Sequence, residues 1–240
     1  MENKESFKNR IAPFFGTYDL LDLQLAYYLS KYGHRGNLRQ ELNEEGKPLR
    51  YFEHVRRVSL ILMDEMQIMD RNMIISALLH DSIEDCPDLP PELLEHCFGG
   101  EVTTIVKLLS KIPKENYCSR LLIANNWKAL AIKACDRLDN LRSLDSTKLE
   151  FQQKQIFETK DKYYPLFKKL LEICPVEYKN NVSPIFKEIK SIVDLYIKKF
   201  NKLEKEKCVP CKGSGYSKWV NEEIYSLCDL CNGKGKVGTL

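Results

Sequence analysis

The sequence lacks any apolar run close to the roughly 20 residues that a helix needs to cross a bilayer, and its N-terminus has no apolar signal-peptide core. These two absences predict a cytoplasmic protein with no membrane partner. A large excess of charge of one sign is also lacking, because 37 basic and 34 acidic residues leave a net charge of +3. This balance argues against bulk nucleic-acid binding but does not exclude a local basic pocket.

Strand-like alternation is nearly absent before residue 205, whereas helical spacing of apolar residues recurs along that part of the chain. The length of 240 residues suits one well-cored domain with a small appendage. We therefore predict an all-α bundle over residues 1–205 and a small module over residues 206–240, where the composition changes to Cys, Gly and Lys. Within the bundle, residues 35–48 are predicted to form a loop. Residues 70–85 are predicted to form one helix with Asp70 as its N-cap.

The most informative stretch is ALLHDSIEDC, residues 77–86, which places one histidine and three carboxylates on an otherwise apolar helix pattern. Residues three and four apart share a helix face, so His80 would lie beside Glu84, and Asp81 beside both Glu84 and Asp85. Carboxylates crowded in this way repel each other unless a positive charge lies among them. A divalent cation would supply that charge. A solvated helix end is the alternative, and this stretch alone leaves both open.

Two further residues extend this cluster into a set of candidate metal ligands. Divalent-metal hydrolases combine imidazole with carboxylate, and His54 lies in the preceding helical segment. Asp136 lies among apolar neighbours in a later segment, where an aspartate is costly unless it is paired or bound to a metal. The candidate ligands are His54, His80, Asp81 and Asp136.

The order of these ligands, together with the motifs RYFEHV, ALLHDSIEDC and AIKACDRLDNLRSL, resembles the HD superfamily of metal-dependent phosphohydrolases. The detail is most similar to the hydrolase domain of RelA/SpoT homologues and to the small alarmone hydrolases, over about residues 20–172. The resemblance implies an all-α HD-domain helical bundle. It also implies an enzyme that removes the 3′-pyrophosphate of guanosine tetra- or pentaphosphate, giving GDP or GTP and pyrophosphate.

The resemblance further implies a role for particular residues. Four would bind one manganese ion: His54, His80, Asp81 and Asp136. Two would polarise or deprotonate the attacking water: Glu84 and Asp85. Three would contact the guanine nucleotide: Arg39, Tyr51 and Asn140. The chain departs from the family at Asp139, where many members have histidine. The alternatives are an HD phosphohydrolase of another nucleotide and a catalytically silent module that senses a nucleotide.

The C-terminal module contains four of the nine cysteines, arranged as two Cys-x-x-Cys pairs: Cys208, Cys211, Cys228 and Cys231. This spacing is typical of a four-thiolate zinc site. The segment has too little apolar material to fold alone, so a structural Zn²⁺ would supply its folding energy. Its CxxCxGxG form resembles the zinc ribbon of DnaJ-type chaperones, and redox chemistry is the alternative. The resemblance leaves open a protein or nucleic-acid partner for the ribbon.

Overall fold

The computed structural model describes residues 3–113, 115–205, 216–218 and 225–227. The chain divides into two compact units, residues 1–192 and residues 193–240. None of the helices in the described part of the chain is both long and apolar enough to span a membrane. The domain boundary predicted at residue 205 stays a prediction, and the four ribbon cysteines lie outside the described residues.

The described residues are mostly helical, as predicted. The helices are α1 (Lys4–Ile11), α2 (Thr17–Gly33), α3 (Tyr51–Leu60), α4 (Arg71–Leu79), α5 (Ser82–Asp85), α6 (Pro91–Phe98), α7 (Gly100–Leu109), α8 (Tyr117–Ala124), α9 (Trp127–Arg142), α10 (Leu149–Glu158), α11 (Tyr164–Ile173) and α12 (Val176–Lys205). π-Helical turns follow α3 at Ile61–Glu65 and α10 at Thr159–Tyr163. Two antiparallel hairpins pair β1 (Leu38–Leu42) with β2 (Pro48–Arg50) and β3 (Tyr216–Lys218) with β4 (Tyr225–Leu227).

Helix α4 lies at the centre of the bundle. It contacts α2, α3, α7 and α9, and every residue from Met73 to Leu79 is buried. A helix that is largely apolar all round is stable only when surrounded by other elements, and each fully buried leucine or isoleucine contributes roughly 1.5–3 kcal/mol. The C-terminal end of α4, where the HD motif begins, is therefore held on a rigid support.

Helix α4 begins as predicted, because the Asp70 Oδ1 atom accepts a hydrogen bond of 2.8 Å from the backbone amide of Met73. It ends earlier than predicted. The single helix predicted over residues 70–85 is broken at His80 and Asp81, and the short helix α5 follows. The Ser82 hydroxyl donates a hydrogen bond of 2.7 Å to the Leu79 carbonyl, which the break would otherwise leave without a donor. The motif therefore lies at a helix junction and not along one helix face.

The predicted loop at residues 35–48 contains most of the β1–β2 hairpin. Asn43 Oδ1 closes its turn by accepting from the backbone amides of Glu45 and Lys47, at 3.0 and 2.8 Å, and Gly46 has a φ of +74°. Residues of β1 alternate only between exposed and half-buried positions. The strand therefore carries no apolar alternation that sequence patterns could detect.

A close approach of two segments holds the junction after α5 in place. A Cβ atom on Gly33, at the end of α2, would lie 2.8 Å from the Cys86 Sγ atom and 2.9 Å from Leu89 Cδ1. Real side chains do not tolerate such distances without a shift of their neighbours. Glycine at position 33 thus allows α2 to pack directly against the turn that follows α5.

Candidate active site

Four buried side chains from three parts of the bundle meet at one point. His54 comes from α3, His80 and Asp81 from the junction between α4 and α5, and Asp136 from α9. Each is at most 5% exposed. The four predicted metal ligands are thus brought together, although up to 82 residues separate them in the sequence. Carboxylates buried to this degree need a compensating positive charge.

Both imidazoles are oriented by hydrogen bonds to their Nδ1 atoms. His54 Nδ1 lies 2.7 Å from Asp139 Oδ2, and His80 Nδ1 lies 2.8 Å from the Ala77 carbonyl oxygen. Both partners are acceptors, so each neutral ring carries its proton on Nδ1 and presents a lone pair at Nε2. This arrangement is typical of metal-binding histidines, whose second nitrogen is held by a carboxylate or a carbonyl.

The two Nε2 atoms face carboxylate oxygens. His54 Nε2 lies 3.2 Å from Asp136 Oδ1, and His80 Nε2 lies 3.0 Å from Asp81 Oδ2. His54, His80 and Asp81 each offer one ligand atom, and these three atoms lie within 4.8 Å of one another. Ligand atoms that share one ion at roughly 2.1 Å lie about 3 to 4 Å apart. The donor atoms and their spacing therefore fit a divalent metal ion.

The protonation of His80 indicates the same need for positive charge. Burial lowers the pKa of His80, but Asp81 and Asp136 outweigh burial and raise that pKa to about 9. The Nε2 atom of His80 is buried and faces the Asp81 carboxylate at 3.0 Å. Without a metal, the carboxylates of Asp81 and Asp136 favour the protonated form of the His80 imidazole. A divalent cation would satisfy both carboxylates and leave both imidazoles neutral.

The two ligand carboxylates have further hydrogen-bond partners. Tyr51 Oη donates a hydrogen bond of 2.6 Å to Asp81 Oδ2. The Lys133 ammonium lies 2.5 Å from Asp136 Oδ2, and Asn140 Nδ2 donates a hydrogen bond of 2.6 Å to Asp136 Oδ1. These contacts hold the two carboxylates in fixed orientations beside the imidazoles.

A cavity of about 750 Å³ opens beside this group of ligands. Its walls include four carboxylates, Glu41, Asp81, Asp136 and Glu158, and a larger set of six cationic side chains: Arg39, Lys111, Lys133, Arg137, Lys154 and Lys162. Pockets of roughly 300–1,000 Å³ accommodate small molecules, and clustered cations favour an anionic one. The cavity is therefore suited to a phosphorylated metabolite.

The three residues predicted to contact a nucleotide all line this cavity. Arg39 Nη2 donates a hydrogen bond of 2.9 Å to Asn140 Oδ1, and the Arg39 guanidinium lies 5.8 Å from the centre of the Tyr51 ring. The hairpin thus places Arg39 against α9. Asn140 connects Arg39 to the ligand carboxylate of Asp136.

The predicted water-activating residues, Glu84 and Asp85, lie in α5 immediately after Asp81. Glu84 Oε1 accepts a hydrogen bond of 2.6 Å from the backbone amide of Lys111, and Glu84 Oε2 lies 3.7 Å from the Lys111 ammonium. Burial, with added repulsion from Asp81 and Glu84, raises the pKa of Asp85. Among the described residues, the walls of the cavity include Asp81 and Lys111 but neither Glu84 nor Asp85.

The sequence comparison with protein families matches the model of the HD domain family (HD_4) over residues 26–171. This chain belongs to the HD domain family. The match covers the four candidate metal ligands and every cavity residue named above. The metal-binding chemistry expected of an HD domain therefore agrees with the donor atoms found at the site.

Individual relatives of this HD domain include two curated enzymes. The chain is 34% identical over 141 residues to a guanosine-3′,5′-bis(diphosphate) 3′-pyrophosphohydrolase of Drosophila melanogaster, covering 56% of this chain and 76% of the relative. It is 32% identical over 143 residues to a probable enzyme of the same name from Synechocystis, covering 55% of this chain and 18% of the relative. The chain spans about a fifth of the length of this and other long relatives.

A solved structure resembles the HD domain in fold. It is that of a metazoan ortholog of SpoT, described as hydrolysing ppGpp. The two structures superpose with a TM-score of 0.50 at 29% sequence identity, over 70% of this chain and 94% of the other.

The HD domain contains site residues that sequence patterns missed. Asp139 binds His54 and also accepts a hydrogen bond of 2.6 Å from Arg57 Nε. Lys133 is 2% exposed and contacts Asp136. The departure from the family at position 139 was the available signal for Asp139. A lysine flanked by Ile132 and Ala134 in an apolar helix was the signal for Lys133.

His34, a histidine near the predicted loop, lies behind the cavity wall. Its ring lies 4.9 Å from the Tyr51 ring, and His34 Nδ1 lies 3.6 Å from the Cys86 Sγ atom. Burial lowers the pKa of His34 to about 4. The ring is therefore neutral near pH 7 and supports Tyr51 from behind.

Proposed function

We propose that this chain is a metal-dependent hydrolase that removes the 3′-pyrophosphate of guanosine tetra- or pentaphosphate. Water attacks the phosphorus bonded to the 3′-oxygen, the bond between them breaks, and the 3′-oxygen takes a proton. The products are GDP or GTP and pyrophosphate. The observation that carries this proposal is the convergence of two imidazole Nε2 atoms and two carboxylates beside a cavity lined by cations. The printed names of the Drosophila and Synechocystis relatives support the choice of substrate.

The proposed metal ligands are His54, His80, Asp81 and Asp136, and the proposed ion is manganese. A bound divalent ion would supply Lewis acidity and lower the pKa of water from about 16 toward neutrality. Imidazole and carboxylate donors suit several such ions, and manganese follows from the resemblance to alarmone hydrolases. The second partners of these ligands, Asp139, Lys133, Asn140 and Tyr51, would keep the donor atoms in place before the ion binds.

Glu84 and Asp85 are the proposed acceptors for the proton of the attacking water. Both follow Asp81 within α5. The pKa of Asp85 is raised, and a general base works best when its pKa is close to the pH of the reaction. Glu84 Oε1 accepts from the Lys111 amide, and Glu84 Oε2, 3.7 Å from the Lys111 ammonium, would orient the water. Arg39, Tyr51 and Asn140 would bind the nucleotide, with the Arg39 guanidinium facing its guanine or a phosphate.

A structural zinc ion is proposed separately for Cys208, Cys211, Cys228 and Cys231. The support is their spacing and the antiparallel pairing of Tyr216 with Leu227, which lie between the two cysteine pairs in the sequence. The proposed ribbon would serve as a docking element for a protein or nucleic acid.

The proposed activity is tested by incubating the purified full chain with Mn²⁺ and guanosine tetraphosphate, and by identifying the products chromatographically. GDP and pyrophosphate in equal amounts are expected. A panel containing GTP, ATP and nucleoside 3′-monophosphates tests the alternative substrates. Turnover of one of these, without turnover of guanosine tetraphosphate, would replace the proposed substrate.

A further inference from the structure

Two cations lie side by side in the cavity wall formed by α9. Lys133 and Arg137 are one helical turn apart, and both are buried, at 2% and 3% exposure. Both face the ring of Tyr163, with Lys133 Nζ at 5.4 Å and Arg137 Cζ at 3.9 Å from its centre. Like charges at this helical spacing repel each other, and burial strengthens the repulsion. The pair therefore needs a negative charge nearby.

Among the described residues, a carboxylate pairs with one of the two cations and not with the other. Lys133 is paired with Asp136. Arg137 Nη1 donates to the neutral amide oxygen of Gln155 at 2.5 Å. In the part of the chain that the structure describes, Arg137 Nε is buried with no hydrogen-bond partner, and no carboxylate lies within ion-pair distance of Arg137. A guanidinium remains protonated at any ordinary pH, so its charge calls for an external anion.

A second donor without a partner in the described part of the chain lines the same cavity. The Tyr117 Oη atom is buried and finds no hydrogen-bond partner among residues 3–113 and 115–205. The Tyr117 ring lies under Lys133, whose Nζ atom is 5.6 Å from its centre. A buried hydroxyl without a partner is costly. Arg137, Lys133 and Tyr117 together offer a planar guanidinium fork, an ammonium and a hydroxyl, which is a donor set suited to phosphate oxygens.

We propose that Arg137, Lys133 and Tyr117 form the subsite for the diphosphate that is released as pyrophosphate. This inference rests on the proposed function. It assigns these three residues to the 3′-diphosphate of the substrate. Lys133 Nζ is 2.5 Å from Asp136 Oδ2, and Asp136 Oδ1 is 3.2 Å from His54 Nε2. The subsite therefore lies one carboxylate away from the candidate metal position. The inner phosphate of the 3′-diphosphate would lie at the candidate metal position, and its outer phosphate would then face this subsite.

The test uses the full chain with Arg137→Met, which keeps much of the side-chain volume and removes the charge, and with Arg137→Lys, which keeps the charge and removes the fork. Pyrophosphate is the probe, measured both as a product inhibitor and by equilibrium dialysis. Arg137→Met is expected to weaken pyrophosphate binding about 10- to 100-fold, the scale of a hydrogen bond to a charged group. Arg137→Lys is expected to recover part of that loss. If Arg137 only stabilises the packing and binds no ligand, Arg137→Met will leave pyrophosphate affinity unchanged. This result would overturn the proposal.

Arg142→Gln is the matched control. Arg142 lies on the same helix, but its charge is already balanced by Glu65 and Glu188. This variant is expected to lose stability and keep pyrophosphate affinity. If Arg137→Met fails to fold, Tyr117→Phe removes only one oxygen atom and should still weaken pyrophosphate binding several-fold. Unchanged binding by a folded Tyr117→Phe variant would count against the subsite.

The assignment to the 3′-diphosphate is tested with substrates that carry one, two or three 5′-phosphates. A 3′-diphosphate subsite predicts the same loss of kcat/KM for Arg137→Met on all three. A loss that grows with the number of 5′-phosphates, with unchanged pyrophosphate affinity, would show that Arg137 contacts the 5′-phosphates. This result would refute the assignment to the 3′-diphosphate. If the wild-type chain hydrolyses none of them but binds pyrophosphate through Arg137, the proposed function fails and the anion subsite stands. If it hydrolyses them and Arg137→Met equals wild type, the subsite fails and the function stands.

Discussion

Asp139 gives the sharpest test of how the candidate metal ligands are held. Its Oδ2 atom lies 2.7 Å from His54 Nδ1, and its Oδ1 atom accepts a hydrogen bond of 2.6 Å from Arg57 Nε. Asp139→Asn keeps an oxygen that can accept from His54 but removes the charge. Asp139→Leu removes both the acceptor and the charge at similar volume. The two variants therefore separate orientation of the imidazole from the added basicity that a carboxylate partner confers on it.

The expected magnitudes follow from these contacts. Loss of a hydrogen-bonded partner behind a ligand histidine costs about 10- to 100-fold in metal affinity or activity. We expect Asp139→Asn to lie near the lower figure and Asp139→Leu near the upper one, which corresponds to about 1.4 and about 2.7 kcal/mol. Arg57 keeps an ion pair with Glu41 at 2.6 Å in both variants. Its charge is therefore not left without a partner.

The assay measures Mn²⁺ affinity by the loss of the free-ion electron paramagnetic resonance signal, with kcat measured on the same samples. Asp64→Asn is the control, because it removes a carboxylate from an exposed ion pair with Arg10. Urea unfolding without metal separates lost stability from lost affinity. If Asp139→Leu binds Mn²⁺ and turns over substrate like wild type, His54 does not depend on Asp139 and the proposed orientation of the ligands is wrong.

Three further predictions follow from the same structure. Glu84→Gln keeps an oxygen that can accept from the Lys111 amide but removes the charged base. We therefore expect unchanged Mn²⁺ content and a loss of about 10²-fold or more in kcat. Normal turnover would show that Glu84 has no catalytic role, and a loss of bound metal would make Glu84 a ligand. Native alkylation with iodoacetamide at pH 8 should spare Cys86 and Cys135, because burial raises the pKa of both thiols; mass spectrometry showing rapid labelling of either would contradict their burial. Deletion of residues 206–240 should remove one zinc ion per chain, measured by elemental analysis, and leave pyrophosphate release largely intact; a folded but inactive truncation would make the ribbon part of the active site.

Much of the bundle was predictable because its helices carry regular apolar patterns and clear ends. Asp70 caps α4 as predicted, and the pair Asn125 and Asn126 separates α8 from α9. The β1–β2 hairpin was missed because neither face of β1 is buried, which leaves no alternation to detect. Local side-chain chemistry, such as the Ser82 hydroxyl at the end of α4, also decided a helix boundary that periodicity could not.

The candidate site was predictable where a residue's type alone limits its role. A histidine or aspartate among apolar residues needs a partner, which pointed to His80 and Asp136. The contact between His54 and Asp139 joins residues 85 positions apart and depends on how α3 packs on α9. Sequence spacing carries no information on such a contact. The break at His80 likewise changed the expected relation between His80 and Glu84, which a continuous helix face would have placed side by side.

The most direct test of the central claim is pyrophosphate release from guanosine tetraphosphate by wild type and Asp81→Asn, each with Mn²⁺ and with excess chelator. We expect release by manganese-loaded wild type, none after chelation, and none from Asp81→Asn, whose helical circular dichroism should match that of wild type. Weakened Mn²⁺ binding by Asp81→Asn should accompany the loss. Full activity of Asp81→Asn in metal-replete buffer, or activity of wild type that survives complete chelation, would show that hydrolysis does not depend on a metal held by Asp81.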